Sequence, residues 1–220
     1  MTKRRDLVRE LKSAGYSEVG GTKHGKFKKG DVTVMVPRHS EIANQMARRY
    51  GKRQDSSSPA PFGVIGVKGE GMYVCEFEFV QDGDYILCWP FFPGRVDGTQ
   101  GKDFDDAVEM AADWLKTIAL DHLMKGDEVP KIPLGNQPKR GGGIVVVAVE
   151  ASLGDVPAIT AAEAAGLLGV STARVTQLAK AGALDSWKVG RTRMVSLESV
   201  QLRLAEERKA GRPKKELTTA

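Results

Sequence analysis

Cysteine is almost missing from this chain: Cys75 and Cys88 are its only two in 220 residues. Both stand in strand-like apolar surroundings without metal-ligand or redox spacing, which favours reduced packing residues, with a disulfide across one hairpin as the alternative. No apolar run approaches the length needed to span a bilayer, and no apolar signal segment follows the basic start. An uncleaved cytoplasmic protein without a membrane partner is expected. Gly141-Gly142-Gly143 lacks both the Lys-Ser/Thr of a phosphate loop and the glycine spacing of a dinucleotide fingerprint, and no pattern requires a cofactor or a metal.

What the chain has in abundance is charge, arranged in blocks. Residues 1–60 carry a net +8, residues 61–135 a net −8 and residues 136–220 a net +5, all hidden beneath an overall +5. This alternation suggests an acidic module positioned to neutralise, or compete for, a nucleic-acid-binding one. The charge and turn patterns divide the chain into units at 1–52, 62–135 and 158–208. A polar Ser/Pro linker at 53–61 joins the first two, a connecting segment with a strand fills 136–157, and 209–220 forms a basic tail. So short a linker raises the concentration of one module around the other.

In the middle unit, Tyr73 to Val80 and Tyr85 to Trp89 alternate as strands, with Asp82-Gly83 as the turn between them. Asp103 with Asp106 starts a helix whose apolar positions Phe104, Ala107, Val108, Ala111, Leu115 and Ile118 fall near one face, and Gly126 stops it. Glu76, Glu78, Asp82 and Asp84 on the hairpin read as a solvated or partner-facing surface in preference to a metal site. The hairpin, the Pro93-Gly94 pair after it, the run Asp103-Phe104-Asp105-Asp106-Ala107 and the later Gly126-Asp127-Glu128-Val129-Pro130 resemble the core of HicB-family antitoxins. That resemblance implies a partial ribonuclease-H-like sheet and helix that inhibits a small toxin.

The first unit reads as helix, three strands, helix. Thr2 is a candidate cap for a helix carrying Leu7, Val8 and Leu11; the strands fall near Glu18 to Gly20, Lys26 to Lys29 and Val32 to Val36; Ser40 is a candidate cap for a second helix. Gly20-Gly21-Thr22-Lys23-His24-Gly25-Lys26-Phe27 holds its informative letters. Alone, a histidine among Gly and Lys is compatible with a solvated loop. Yet imidazole titrates near neutrality and nearby lysines hold phosphate, a combination able to assist attack of an RNA 2′-hydroxyl on its adjacent phosphate without a metal.

Gly21, Thr22, Lys23 and His24, followed by Val36-Pro37 and His39, resemble the motifs of HicA-family toxins over roughly residues 3–51. The resemblance implies a double-stranded-RNA-binding-domain-like fold that cleaves messenger RNA, with His24 as the acid/base and Lys23 and Lys26 on phosphate. Lys28 and Lys29 would follow the RNA backbone, and His39 would order the strand-to-helix junction.

Beyond the beta-branched run Ile144 to Val149, which either returns to the middle sheet or leads onward, Thr160 and Glu163 form a capping-box pattern before Ala161, Ala164, Ala165 and Leu168. Gly169-Val170-Ser171 turns the chain into a second helix, and Trp187 to Val195 reads as a hairpin. Residues 158–205 resemble winged helix-turn-helix domains of the small-regulator or excisionase type. Thr172, Arg174, Thr176 and Gln177 face outward on the second helix as DNA-binding candidates, Arg174 and Gln177 for base contacts, while Arg191 and Arg193 would reach a minor groove or phosphates from the wing.

The combined expectation is an α+β multidomain, DNA-binding toxin-antitoxin regulator in which a HicB-like module masks a fused HicA-like module. Its partners would be operator DNA, messenger RNA, a further copy in a homodimer or higher homo-oligomer, and a separate toxin. The alternative is a metal-independent endoribonuclease inhibited in cis.

Overall fold

The computed structural model describes residues 2–30, 32–43, 70–127, 130 and 132–206. It is a mixed α+β, multidomain architecture of discrete helix and strand units. The 53–61 linker, the body of the helix expected after Ser40 and the 209–220 tail lie outside the described residues.

The chain opens with β1 (Thr2–Lys3), α1 (Arg4–Ser13), β2 (Ser17–Gly20), β3 (His24–Lys29), β4 (Val32–Pro37) and β5 (Glu41–Ile42). Strands β2, β3 and β4 form an antiparallel meander, and β1 pairs with β5. That second pairing corrects both expected caps. Thr2 is opposite Ile42 and Lys3 opposite Glu41, so both segments are extended, and α1 starts at Arg4 behind Lys3, which makes no side-chain cap.

Pairing register gives the meander two unlike faces, because side chains alternate along a strand. Phe27, opposite Val34, turns to Leu7 and Leu11 of α1 in one apolar cluster. The alternate positions put His24, Lys26 and Lys28 beside Pro37, Met35 and Thr33 on the other face. That face is buried too, and Met35 belongs to the core of the next unit.

The middle unit comprises β6 (Glu70–Asp82), β7 (Tyr85–Pro90), β8 (Thr99–Gly101), α2 (Phe104–Lys125) and β9 (Gly143–Ser152). Its antiparallel sheet has the order β8-β7-β6-β9. Strand β9 therefore returns to the middle sheet, running along β6 from Glu70↔Ser152 to Phe79↔Gly143. Asp103 caps α2 by accepting from the Asp106 N–H, and Gly126 closes it in the left-handed region at φ 73°.

The apolar arc of α2 is centred on Trp114, which meets Phe77 and Phe92 edge to face with ring centroids 5.7 and 5.9 Å away. Ala107, Ala111, Leu115 and Ile118 lie on this arc as expected, but Phe104 is exposed, with its ring 5.7 Å from that of Phe79, and Val108 is only partly covered. Cys75 and Cys88 are free and buried in the same core. Burial pushes the Cys75 thiol up to about 12.

Glu76 and Glu78 are not the solvated surface expected of them. Both are buried on the sheet face opposite α2, where they anchor the connecting segment. Glu76 accepts from the Gly135 and Asn136 N–H groups at 2.8 Å each, and Glu78 from those of Arg140 at 2.5 Å and Gly142 at 3.2 Å. A carboxylate here satisfies backbone donors that crossing a sheet would otherwise strand.

The last unit contains β10 (Ala158–Thr160), α3 (Ala161–Leu168), α4 (Thr172–Lys180), β11 (Ser186–Val189), β12 (Thr192–Ser196) and α5 (Leu197–Ala205). The Thr160–Glu163 capping box is complete, Ser171 caps α4 and Ser196 caps α5. Ala164, Leu168, Val175, Leu178, Leu184, Val195 and Val200 make its core. Strand β10 adds to the hairpin by pairing with β12. Among the described residues no helix is long and apolar enough to cross a membrane.

Candidate functional site

The loop before β3 is shaped by glycine and by an arginine that the sequence motifs pass over. Gly21 sits at φ 107°, and a Cβ there would collide with the His24 carbonyl oxygen, so no side chain fits. Arg38 gathers the same loop: its N–H donates to the Lys23 carbonyl at 3.0 Å and its guanidinium to the Gly21 carbonyl at 2.8 Å. His24 is thereby delivered at the first position of β3.

It is not a solvated loop histidine. His24 and Thr99 are both 0 % exposed. Asp113 Oδ2 lies 2.7 Å from His24 Nδ1, and Thr99 Oγ1 lies 2.6 Å from Nε2. Thr22 donates to the other oxygen of Asp113. Burial alone would raise the Asp113 carboxyl, but the His24 hydrogen bond and charge, with Thr22 and the Lys23 N–H, hold it below the usual carboxylate range.

The connectivity hydroxyl, imidazole, carboxylate is that of a nucleophile relay. Full burial of the hydroxyl and the ring denies it a substrate in this conformation. The imidazole is held by its neighbours on both nitrogens.

Along the same face, every expected phosphate-binding lysine but one meets a carboxylate. Lys23 pairs with Glu109. Lys26 lies 3.3 Å from Asp121 and 2.7 Å from Asp185, and Lys28 lies 2.6 and 2.5 Å from the same two residues. Burial alone would depress Lys28, yet Asp185 and Asp121 together raise it above the ordinary lysine value, while the lysines in turn hold both buried carboxyls low. Thr33 donates to Asp121 at 3.0 Å, and Lys125 reaches it from the next turn at 3.1 Å.

Lys29 is separated from this row. It stands on the opposite face of β3, where its ammonium donates to the Ala14 carbonyl at 2.8 Å and lies 5.9 Å from the Tyr16 ring. His39 reaches out of its strand-to-helix junction: its Nε2 lies 3.1 Å from the Gln100 carbonyl oxygen, which ties the first unit to β8.

The decisive partners are therefore Glu109, Asp113 and Asp121 of α2, with Thr99 of β8 and Asp185 of the last unit. A signal exists for two of the first three: Glu109 and Asp113, four residues apart, share a stripe away from the apolar arc, whereas Asp121, seven residues after Trp114, lies at the edge of that arc and is buried with it. Nothing local marks Asp185.

The residues expected to contact DNA lie elsewhere. Thr172, Arg174 and Gln177 are exposed on α4, and Arg191 is exposed at the tip of the β11–β12 hairpin. Arg174 reaches Gln177 at 3.1 Å. Thr176 donates to the Thr172 carbonyl at 3.2 Å and Arg193 to Ser186 Oγ at 2.8 Å, so these two are partly engaged within the unit.

Fold and site together define a multidomain α+β protein in which a row of basic side chains on one unit is buried beneath carboxylates from two others. No protein-family model, curated protein or solved structure matches the chain.

Proposed function

We propose that the chain is a DNA-binding regulator of the toxin-antitoxin type, in which a HicB-like module masks a fused HicA-like, RNA-binding module. The supporting observation is the seam itself: Lys23, His24, Lys26 and Lys28 meet Glu109, Asp113 and Asp121 from a single helix, α2. A row of ammonium groups with an imidazole is suited to a phosphodiester backbone, and carboxylates are its nearest protein equivalent. On this reading the first unit is double-stranded-RNA-binding-domain-like, the middle unit a partial ribonuclease-H-like fold and the last a winged helix-turn-helix.

The exposed residues of α4 and the hairpin tip then read operator DNA in the cytoplasm, as a homodimer or higher homo-oligomer on paired half-sites. The test is binding of the full chain to the DNA upstream of its own gene. Arg174→Ala or Arg191→Ala should weaken binding about tenfold or more, whereas His24→Ala should leave it unchanged. Loss of binding in His24→Ala with retention in both arginine variants would overturn this division of roles.

One observation favours a second reading, an endoribonuclease inhibited in cis. Both nitrogens of His24 are taken up by residues of another unit, Asp113 and Thr99, as blocking an acid/base imidazole in cis would require. Cleavage of RNA by residues 1–52 that vanishes in His24→Ala would establish it.

A further inference from the structure

Asp185 belongs to the C-terminal unit yet completes the charge balance of the first. Asp121 alone faces three ammonium groups, those of Lys26, Lys28 and Lys125. Asp185 supplies the second carboxylate, 2.7 Å from Lys26 and 2.5 Å from Lys28, with all four side chains of this inner cluster no more than 8 % exposed. Buried ammonium groups without that counter-charge would be costly to hold out of water.

The C-terminal unit fixes Asp185 firmly before it meets the lysines. Its N–H donates to Ser199 Oγ at 3.3 Å, and its carbonyl accepts from the Ser196 N–H at 2.9 Å. Beside it the two backbones touch: the Gly30 N–H donates to the Ala181 carbonyl at 3.0 Å, and a Cβ on Gly182 would lie only 2.7 Å from the Gly30 oxygen. Thr172, Arg174, Gln177 and Arg191 take no part in these contacts and stay exposed.

We infer that Asp185 is an intramolecular latch: it occupies, on Lys26 and Lys28, the place of a polynucleotide phosphate, so that RNA and the C-terminal unit compete for the same two ammonium groups. This rests on reading β3 as an RNA-backbone surface. The competition is reciprocal by linkage, since RNA bound to the pair must detach the C-terminal unit, and whatever detaches that unit raises RNA affinity. DNA contact through α4 leaves the latch closed, because the two surfaces share no residue.

The test uses the full-length chain as wild type, Asp185→Asn and Gly182→Asn, with Asp185→Asn also combined with Lys26→Gln and Lys28→Gln. Gly182 has φ 74°, which asparagine tolerates, so the second variant keeps the C-terminal fold while its Cβ blocks the approach to Gly30. Two quantities are read: hydrogen exchange of the Gly30 amide, and affinity for a fluorescently labelled single-stranded RNA oligonucleotide at low salt. Both latch variants should speed Gly30 exchange and tighten RNA binding by about tenfold or more, and the added lysine substitutions should abolish that gain. Unchanged Gly30 exchange in both variants would overturn the latch while leaving the RNA reading standing. Fast exchange with unchanged RNA affinity would overturn Asp185 as the group that keeps RNA off the pair, since Asp121 alone would then suffice to hold both lysines.

Discussion

His24 shows how a single residue's surroundings revise its chemistry. A histidine flanked by glycine and lysine suggests access to substrate, but with Asp113 on one nitrogen and Thr99 on the other it is committed to the seam. His24→Ala should destabilise the full chain by about 2–3 kcal/mol, because a buried carboxylate loses a charge-assisted partner. Urea unfolding checks this. If Asp113→Ala added to His24→Ala costs as much as it does in the wild type, the two side chains are not coupled.

The pH dependence follows from the same groups. Asp113, Asp121 and Asp185 all lie below their ordinary value of 3.8 in the folded chain. A depressed carboxyl contributes stability that is complete above its unfolded value and lost as pH falls through the folded one. The seam should therefore hold at about pH 5 and above and weaken only below about pH 4. Lys28, raised by Asp185 and Asp121, adds stability that is complete below its ordinary value of 10.5 and is lost as pH rises from there through its raised value. Thermal unfolding across pH measures this, and a loss of stability centred near pH 6 would point to a histidine in place of the carboxylates.

Among elements, α2 carries the most. It packs Trp114, Leu115 and Ile118 on the middle sheet, and from a flank it presents Glu109, Asp113 and Asp121 to Lys23 and β3. Trp114→Ala should cost about 3–5 kcal/mol and loosen both sheets together, seen as a single lowered unfolding transition. Two separated transitions would show that α2 does not couple them.

The period and caps of α2 were legible from Asp103, Asp106 and Gly126, and so were the hairpins at Gly83 and Gly190, because these signals are local. Strand β1 and its partner β5 were not, since two extended dipeptides acquire meaning only when they pair. Glu76 and Glu78 looked like surface for the same reason: the backbone donors they satisfy arrive about sixty residues later, at Gly135 and Arg140.

For the whole molecule, the block alternation of charge foretold that an acidic unit would meet a basic one, and the row Lys23, His24, Lys26, Lys28 was visible before its partners were. The entry of the C-terminal unit into that seam was not, as Asp185 carries no motif and Gly182 and Gly30 reveal their close approach only in three dimensions. Carboxylates from two units leave the chain with two surfaces of opposite exposure, a covered one on β3 and an open one on α4.

The most direct measurement is RNA binding by residues 1–52, shown to be folded by circular dichroism, beside the full chain at the same low salt. Masking requires the fragment to bind a labelled RNA at least about tenfold more tightly than the full chain, with an affinity that falls steeply as salt rises and is lost in Lys26→Ala with Lys28→Ala. A folded fragment that binds no RNA, or a full chain that binds it equally well, would contradict the masked RNA-binding surface.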